Sequence, residues 1–173
     1  INDNGIVSVV QEIKGYKGTV SVFNQQGNEL FTRVIAANYV LSSKVSPANN
    51  MVVINSVDAS GIYSRANLEF TDMMGKPAAS KVINENIIFP TISFLGNDSV
   101  LGISDQGLWC FNKDGTEKWK QEFQNKKVCS TAVWGGKSAA VALKNENAAG
   151  IIDNNSTEVK IFNGSGKQTA SCN

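Results

Sequence analysis

One eight-residue pattern recurs along this chain, and it limits the possible folds more than length or composition does. Val20-Ser21-Val22-Phe23-Asn24-Gln25-Gln26-Gly27 returns as Leu108-Trp109-Cys110-Phe111-Asn112-Lys113-Asp114-Gly115 and again as Val159-Lys160-Ile161-Phe162-Asn163-Gly164-Ser165-Gly166. Leu68-Glu69-Phe70-Thr71-Asp72-Met73-Met74-Gly75 is a looser copy. The shared order is apolar, any, apolar, Phe or Thr, Asn or Asp, two variable residues, Gly. Four residues beyond each glycine stand Phe31, Ala79, Trp119 and Ala170, and successive glycines lie 48, 40 and 51 residues apart.

Each copy reads as a β-hairpin. Alternating apolar residues make a half-buried strand, and an Asn or Asp side chain opens a turn by bonding its own backbone. Glycine closes the turn because it adopts φ > 0 without Cβ strain. A second pair of strands precedes each later hairpin: Val40 to Val45 with Met51 to Asn55, Thr91 to Leu95 with Ser99 to Ser104, and Ser130 to Trp134 with Ser138 to Leu143. Four short strands per period of about 40 to 50 residues is the pattern of a β-propeller blade. No apolar spacing of i, i+3, i+4, i+7 is sustained, and even Lys118 to Lys127 is better placed as strand after the Gly115 turn. The expectation is an all-β chain of about four blades of four antiparallel strands, in units of about 1–37, 38–85, 86–126 and 127–173. The first blade is expected to be incomplete, with one strand supplied ahead of Ile1, and residues 1–173 to form a single propeller-like domain that is a portion of a longer protein, the alternatives being a half-ring that pairs with a second copy and a small four-bladed ring. An open array of this kind leaves apolar blade faces in water, so self-association through those faces is expected.

Composition removes much chemistry. Histidine is absent, which excludes Ser-His and Cys-His catalysis and most zinc sites. Sixteen Lys plus Arg against fifteen Asp plus Glu give a net charge of +1, with only Arg33 and Arg65 to supply guanidinium groups. Nucleic acid is not an expected partner. Cys110, Cys129 and Cys172 fit no CxxC pair; Cys110 and Cys129 lie in or beside apolar runs and read as small buried residues, whereas Cys172 reads as exposed. No apolar stretch reaches the roughly 18 residues of a membrane span. The chain begins at Ile1 without Met, which leaves room for a signal peptide or membrane anchor upstream.

At Leu108 to Trp119, LWCFNKDGTEKW, the chain resembles the repeat of quinoprotein-like propellers. Those blades carry a strand, an acidic turn closed by glycine, and a tryptophan four residues further on. Gly115 and Trp119 match it, while Phe111 stands at the family's acidic position and Asp114 at its threonine, so Asn112 is expected to form the turn. The resemblance implies a propeller of the non-enzymatic bacterial cell-surface branch. The quinone-dependent members hold their cofactor against an adjacent-cysteine disulfide, and this chain has no Cys-Cys pair. No cofactor is therefore expected, and Trp109 and Trp119 read as packing between blades.

The remaining acid–base groups are carboxylates. Asp72, Asp98, Asp105, Asp114 and Asp153 all lie near Gly or Asn and read as turn formers. Asp153-Asn154-Asn155-Ser156-Thr157-Glu158 offers oxygens to a hard cation but lacks an established spacing, and reads as a solvated loop of the last blade. Gly135-Gly136-Lys137-Ser138 lacks the earlier glycine of a phosphate loop and reads as a hairpin turn. Asn97, Asn154, Asn155 and Asn163 head glycan-acceptor triplets that matter only in a eukaryotic secretory route. No catalytic, cofactor-binding or metal residue is assigned. The expected function is a non-catalytic extracytoplasmic scaffold, bacterial, that takes a protein or glycan at one loop rim. The alternative is a carbohydrate-active or other hydrolytic propeller with carboxylate catalysis, and a two-sheet sandwich would instead need strands from different units to pair.

Overall fold

The computed structural model describes residues 1–13, 17–83, 86–134 and 136–172. These residues form fifteen strands in four separate sheets and no helix. The first sheet contains β1 (Val7–Ile13), β2 (Lys17–Phe23) and β3 (Glu29–Ile35). The second contains β4 (Tyr39–Val45), β5 (Val52–Asp58), β6 (Arg65–Thr71) and β7 (Pro77–Val82). The third contains β8 (Thr91–Phe94), β9 (Ser99–Ile103), β10 (Gly107–Asn112) and β11 (Glu117–Glu122). The fourth contains β12 (Lys126–Trp134), β13 (Ser138–Asn145), β14 (Glu158–Asn163) and β15 (Gln168–Cys172). Within each sheet the strands run in chain order, antiparallel, and each strand pairs only inside its own sheet. That is the arrangement of a propeller portion whose first blade has three strands, and it is not the cross-paired arrangement of a sandwich.

The hairpins form where the repeat places them. Asn24 Oδ1 accepts the backbone N–H groups of Gln26 at 3.0 Å and Asn28 at 2.9 Å. Asp72 does the same for Met74 and Lys76, and Asn163 for Ser165 and Lys167. The closing glycines have φ of 81° at Gly27, 76° at Gly75, 78° at Gly115 and 78° at Gly166, a region that strains any residue with a Cβ. In the third copy, Asp114 Oδ1 takes the backbone N–H of Thr116 at 2.9 Å and its hydroxyl at 2.6 Å, so the residue at the family's threonine position braces this turn.

The chain divides into two compact units, residues 1–92 with 113–116, and residues 93–112 with 117–173. In the first unit Val20, Val22 and Phe31 of sheet one meet Val45, Val52 and Ile54 of sheet two. Ser8 Oγ donates to the Ser43 carbonyl oxygen, and Arg33 reaches Glu69 at 2.7 Å. In the second unit Leu101, Ile103, Leu108 and Cys110 pack with Ala139, Val141, Leu143 and Phe162. Fully burying aliphatic or aromatic side chains of this size contributes about 1.5–3 kcal/mol each, which makes these two layers the main stabilising elements.

Burial differs sharply between strands: every residue of the central strand β9 is buried and every residue of the edge strand β15 is exposed. Sequence alternation locates strands but does not rank them by position in a sheet. Cys129 differs from expectation. It is exposed, because a bulge between Val128 and Ser130 in the edge strand β12 turns it outward, where its thiol donates to the Lys127 carbonyl oxygen. Cys110 is buried and Cys172 exposed. Gly135 lies outside the described residues; beside it Lys137 N–H donates to the Trp134 carbonyl oxygen, and Gly136 has φ 58°.

Candidate functional site

Each unit carries a connection with exposed apolar tips between the second and third strands of a four-stranded sheet. In the first unit it is the segment 59–64 between β5 and β6; in the second it is 146–157 between β13 and β14. Both hold large apolar side chains out in water. Ile62 is 94% and Tyr63 62% exposed, and Ile151 is 64% and Ile152 40% exposed. Apolar groups raised on surface connections are the usual material of a binding rim.

The bases of both connections are firmly held. Asp58 pairs with Arg65 at the end of the β5–β6 ladder, and its carboxylate accepts the Ser60 hydroxyl at 2.6 Å, the Ser60 N–H at 3.0 Å and Arg65 Nη2 at 2.6 Å. The Ser60 hydroxyl and N–H, followed by Arg65, hold the Asp58 carboxyl down at about 2. In the other connection Asn147 Oδ1 accepts the N–H groups of Ala149 and Ile151, Gly150 closes the turn with φ 77°, and Glu146 bridges Ile152. Asn147-Ala148-Ala149-Gly150 is thus a further Asn-x-x-Gly turn, visible in the sequence but hidden among the four main copies.

Asp153 Oδ1 accepts the Asn155 N–H, and Lys144 Nζ donates to Asn154 Oδ1 at 3.0 Å, so these oxygens are committed to the loop's own architecture. Beside it a cavity of about 390 Å³ is lined by Lys126, Asn145, Asn155, Ser156, Thr157 and Glu158. The Lys126 hydrogen bond, against a small opposing effect of burial, holds the Glu158 carboxyl below its usual range. Among the described residues no three His, Cys, Asp or Glu side chains converge as a metal site.

A second cavity of about 440 Å³ lies within the first unit, against Asn50, Met51, Thr71, Asp72, Ala78, Lys113 and Asp114. It brings two of the sequence's carboxylates together. Both are engaged in their own turns, and the Thr116 hydroxyl and N–H hold the Asp114 carboxyl below the carboxylate norm. A general acid needs the opposite shift, toward neutral pH. Asp105 instead reaches Lys127 at 2.8 Å; burial pushes its carboxyl up, and the hydrogen bonds from Lys127 and Ser104 more than offset that. No helix long and apolar enough to cross a membrane occurs among the described residues.

Comparison with known proteins agrees with the architecture. A family model described as a family of unknown function (DUF5711) matches residues 1–173. The chain is similar in fold to a protein of unknown function from Bacteroides caccae, at 12% identity and a TM-score of 0.52, covering 99% of this chain and 62% of that one. It is also similar to the β-propeller domain of the Trilobed protease from Pyrococcus furiosus, at 14% identity and a TM-score of 0.59, covering 97% of this chain and 54% of that one. The acylaminoacyl peptidase of Pyrococcus horikoshii matches at 11% identity and a TM-score of 0.56, over 98% of this chain and 30% of that one. The chain therefore spans less than two thirds of each of these proteins. No curated protein matches it.

Proposed function

The chain belongs to that family of unknown function, and we propose that it is a non-catalytic binding scaffold of β-propeller type, working outside the bacterial cytoplasm and taking a protein or glycan on these two connections. The observation that carries this reading is the pairing of exposed apolar tips with anchored bases: Ile62 and Tyr63 above the Asp58–Arg65 clamp, and Ile151 and Ile152 above the Asn147 turn. A rigid base lowers the ordering cost of binding, and aromatic and branched apolar tips supply contact area. Tyr63 among Ser60, Ser64 and Asn67 also has the mixed aromatic and hydroxyl character that suits a sugar face.

Support for the extracytoplasmic placement comes from the quinoprotein-like LWCFNKDGTEKW segment and from the fold shared with a Bacteroides caccae protein. Two of the proteins with this fold are proteases or parts of proteases, which keeps a hydrolytic role as the competing reading. Asp72 and Asp114 are the carboxylates of this chain that line one cavity and that such a role would draw on.

A glycan array and an array of peptide ligands, probed with the purified chain and with Ile62→Ser/Tyr63→Ser and Ile151→Ser/Ile152→Ser, test the scaffold. Binding lost in one or both variants at unchanged melting temperature supports it. Turnover of chromogenic glycosides or peptides that disappears in Asp72→Asn or Asp114→Asn overturns it.

A further inference from the structure

Hairpin turns of the repeat are filled by their neighbours. Phe31 lies against Gly75, Ala79 against Gly115 and Trp119 against Gly166, where a Cβ would meet its neighbour at 2.7, 3.6 and 2.6 Å. In the fourth sheet the Gly166 turn closes one end of β14, and the connection 146–157 stands at the other. That second end holds a cavity where the first holds a packed turn.

Six residues line this cavity of about 390 Å³, and every one is polar: Lys126, Asn145, Asn155, Ser156, Thr157 and Glu158. Its size falls within the roughly 300–1,000 Å³ of small-ligand sites. Lys126 pairs with Asn145, and Leu143 with both Val128 and Glu158, so the sheet residues of the lining share the face on which Leu143 and Val128 pack. The cavity therefore belongs to the covered face of the fourth sheet and lies wholly within the second unit.

Its wall is held in place before any ligand arrives. The Ser156 hydroxyl accepts the Asn145 N–H and donates to the Asp153 carbonyl oxygen, each at 3.1 Å. Asp153 N–H returns to the Asn145 carbonyl oxygen at 2.9 Å, and Asp153 Oδ1 takes the Asn155 N–H at 2.9 Å. These bonds engage the backbone of Asn145 and Asn155 and not their side chains. Among the described residues, the side-chain amides of Asn145 and Asn155 and the hydroxyl of Thr157 make no hydrogen bond, and all three residues are exposed.

The two charges in the wall neutralise each other. Lys126 Nζ donates to Glu158 Oε2, and Lys160, which does not line the cavity, stands 3.5 Å from the other carboxylate oxygen. An anion would have to displace Glu158 from Lys126, and a cation would meet two ammonium groups. A peptide would find no apolar seat for its side chains in this lining. What the lining does offer is amide, hydroxyl, carboxylate and ammonium groups that together donate and accept, the complement of neighbouring hydroxyls on a sugar ring.

We propose that this cavity binds a neutral sugar ring, whose hydroxyls bond to the Asn145 and Asn155 amides and the Thr157 hydroxyl beside the Lys126–Glu158 pair. Such a site rests on the binding-scaffold role and narrows its ligand, in the second unit, to a glycan.

Nitrogen-edited NMR spectra of the chain test this through the side-chain NH₂ signals of Asn145 and Asn155. The probes are glucose, galactose, mannose, N-acetylglucosamine, maltose, cellobiose and lactose, each titrated to about 50 mM to reach millimolar dissociation constants. The expected result is that at least one of these sugars moves both NH₂ signals and the Thr157 amide, while inorganic phosphate at the same concentration moves none of them. Asn155→Ala and Thr157→Val, which keep the backbone bonds of the wall, should each weaken that binding about fivefold. Ile62→Ser/Tyr63→Ser should leave it unchanged. Cleavage of a disaccharide that depends on Asn155 would support the sugar site and overturn the non-catalytic role. Sugar-induced shifts confined to Tyr63 and its neighbours overturn the site and leave the scaffold role standing. Shifts at Asn145 and Asn155 from phosphate alone, or from none of the probes, also overturn the site, and binding on the peptide array then decides the scaffold role separately.

Discussion

The indole of Trp119 lies directly on the backbone of Gly166, where a Cβ would fall 2.6 Å from the ring, and its Nε1–H donates to the Gly164 carbonyl oxygen at 3.1 Å. One side chain therefore reads two backbone positions of the following hairpin turn. Gly166 is required here twice over, by φ 78° and by the ring above it, whereas Gly27, with φ 81°, is required by its conformation alone.

That difference predicts unequal costs for the same substitution. Gly27→Ala should lose about 1 kcal/mol of stability, the cost of a Cβ in the left-handed region. Gly166→Ala adds overpacking against a ring that cannot withdraw, for a total of about 3 kcal/mol. Urea unfolding of both variants measures the difference.

Arg33 joins sheet one to sheet two through Glu69 and the Gly75 carbonyl oxygen, with both charged side chains largely shielded from water. Arg33→Ala should cost about 1–3 kcal/mol, more than an exposed ion pair would. A double-mutant cycle with Glu69→Ala should return a coupling energy of about 1 kcal/mol.

Burial pushes the Cys110 thiol up to about 11, with Lys118 opposing only slightly. A folded-state value above the unfolded one means the folded chain retains a proton that the unfolded chain releases. The contribution is fully present below about pH 9 and is lost as pH rises toward about 11. Urea midpoints measured across that window should fall for the wild type, with a smaller fall in Cys110→Ala. Under native conditions a thiol reagent should label Cys129 and Cys172, which are exposed, and spare Cys110.

Asp58 has the opposite sign. The Ser60 hydroxyl and N–H, with Arg65, hold its carboxyl at about 2, so the clamp beneath Ile62 and Tyr63 is intact above the ordinary carboxylate value near 4 and is lost as pH falls toward 2. Hydrogen exchange at the Ser60 amide, corrected for intrinsic rate, should show protection lost over that interval, and Asp58→Asn should show reduced protection at neutral pH.

The strands and turns were legible because their causes are local. Asn24, Asp72 and Asn163 bond their own backbones, and each glycine follows at a fixed offset. The chain order of the four sheets follows from the same period. What one sequence does not encode visibly is the contact made between copies: that Arg33 meets Gly75 and Gln121 meets Gly166 depends on how successive hairpins lean together. The exposed tips were hidden for a related reason, since Ile151 and Ile152 look in sequence like the start of a strand. Cys129 was misplaced because a bulge changes which face a residue occupies, and apolar neighbours such as Val128 and Val133 give no sign of it.

The central claim is that each hairpin of the repeat is covered by the residue four beyond the preceding glycine. Nuclear Overhauser contacts to the glycine α-protons test this most directly. The account predicts contacts from Phe31 ring protons to Gly75 and from Trp119 ring protons to Gly166, with the α-protons shifted upfield by the rings. Contacts from those glycines to other strands, with Phe31 and Trp119 reporting solvent or unrelated neighbours, would contradict it.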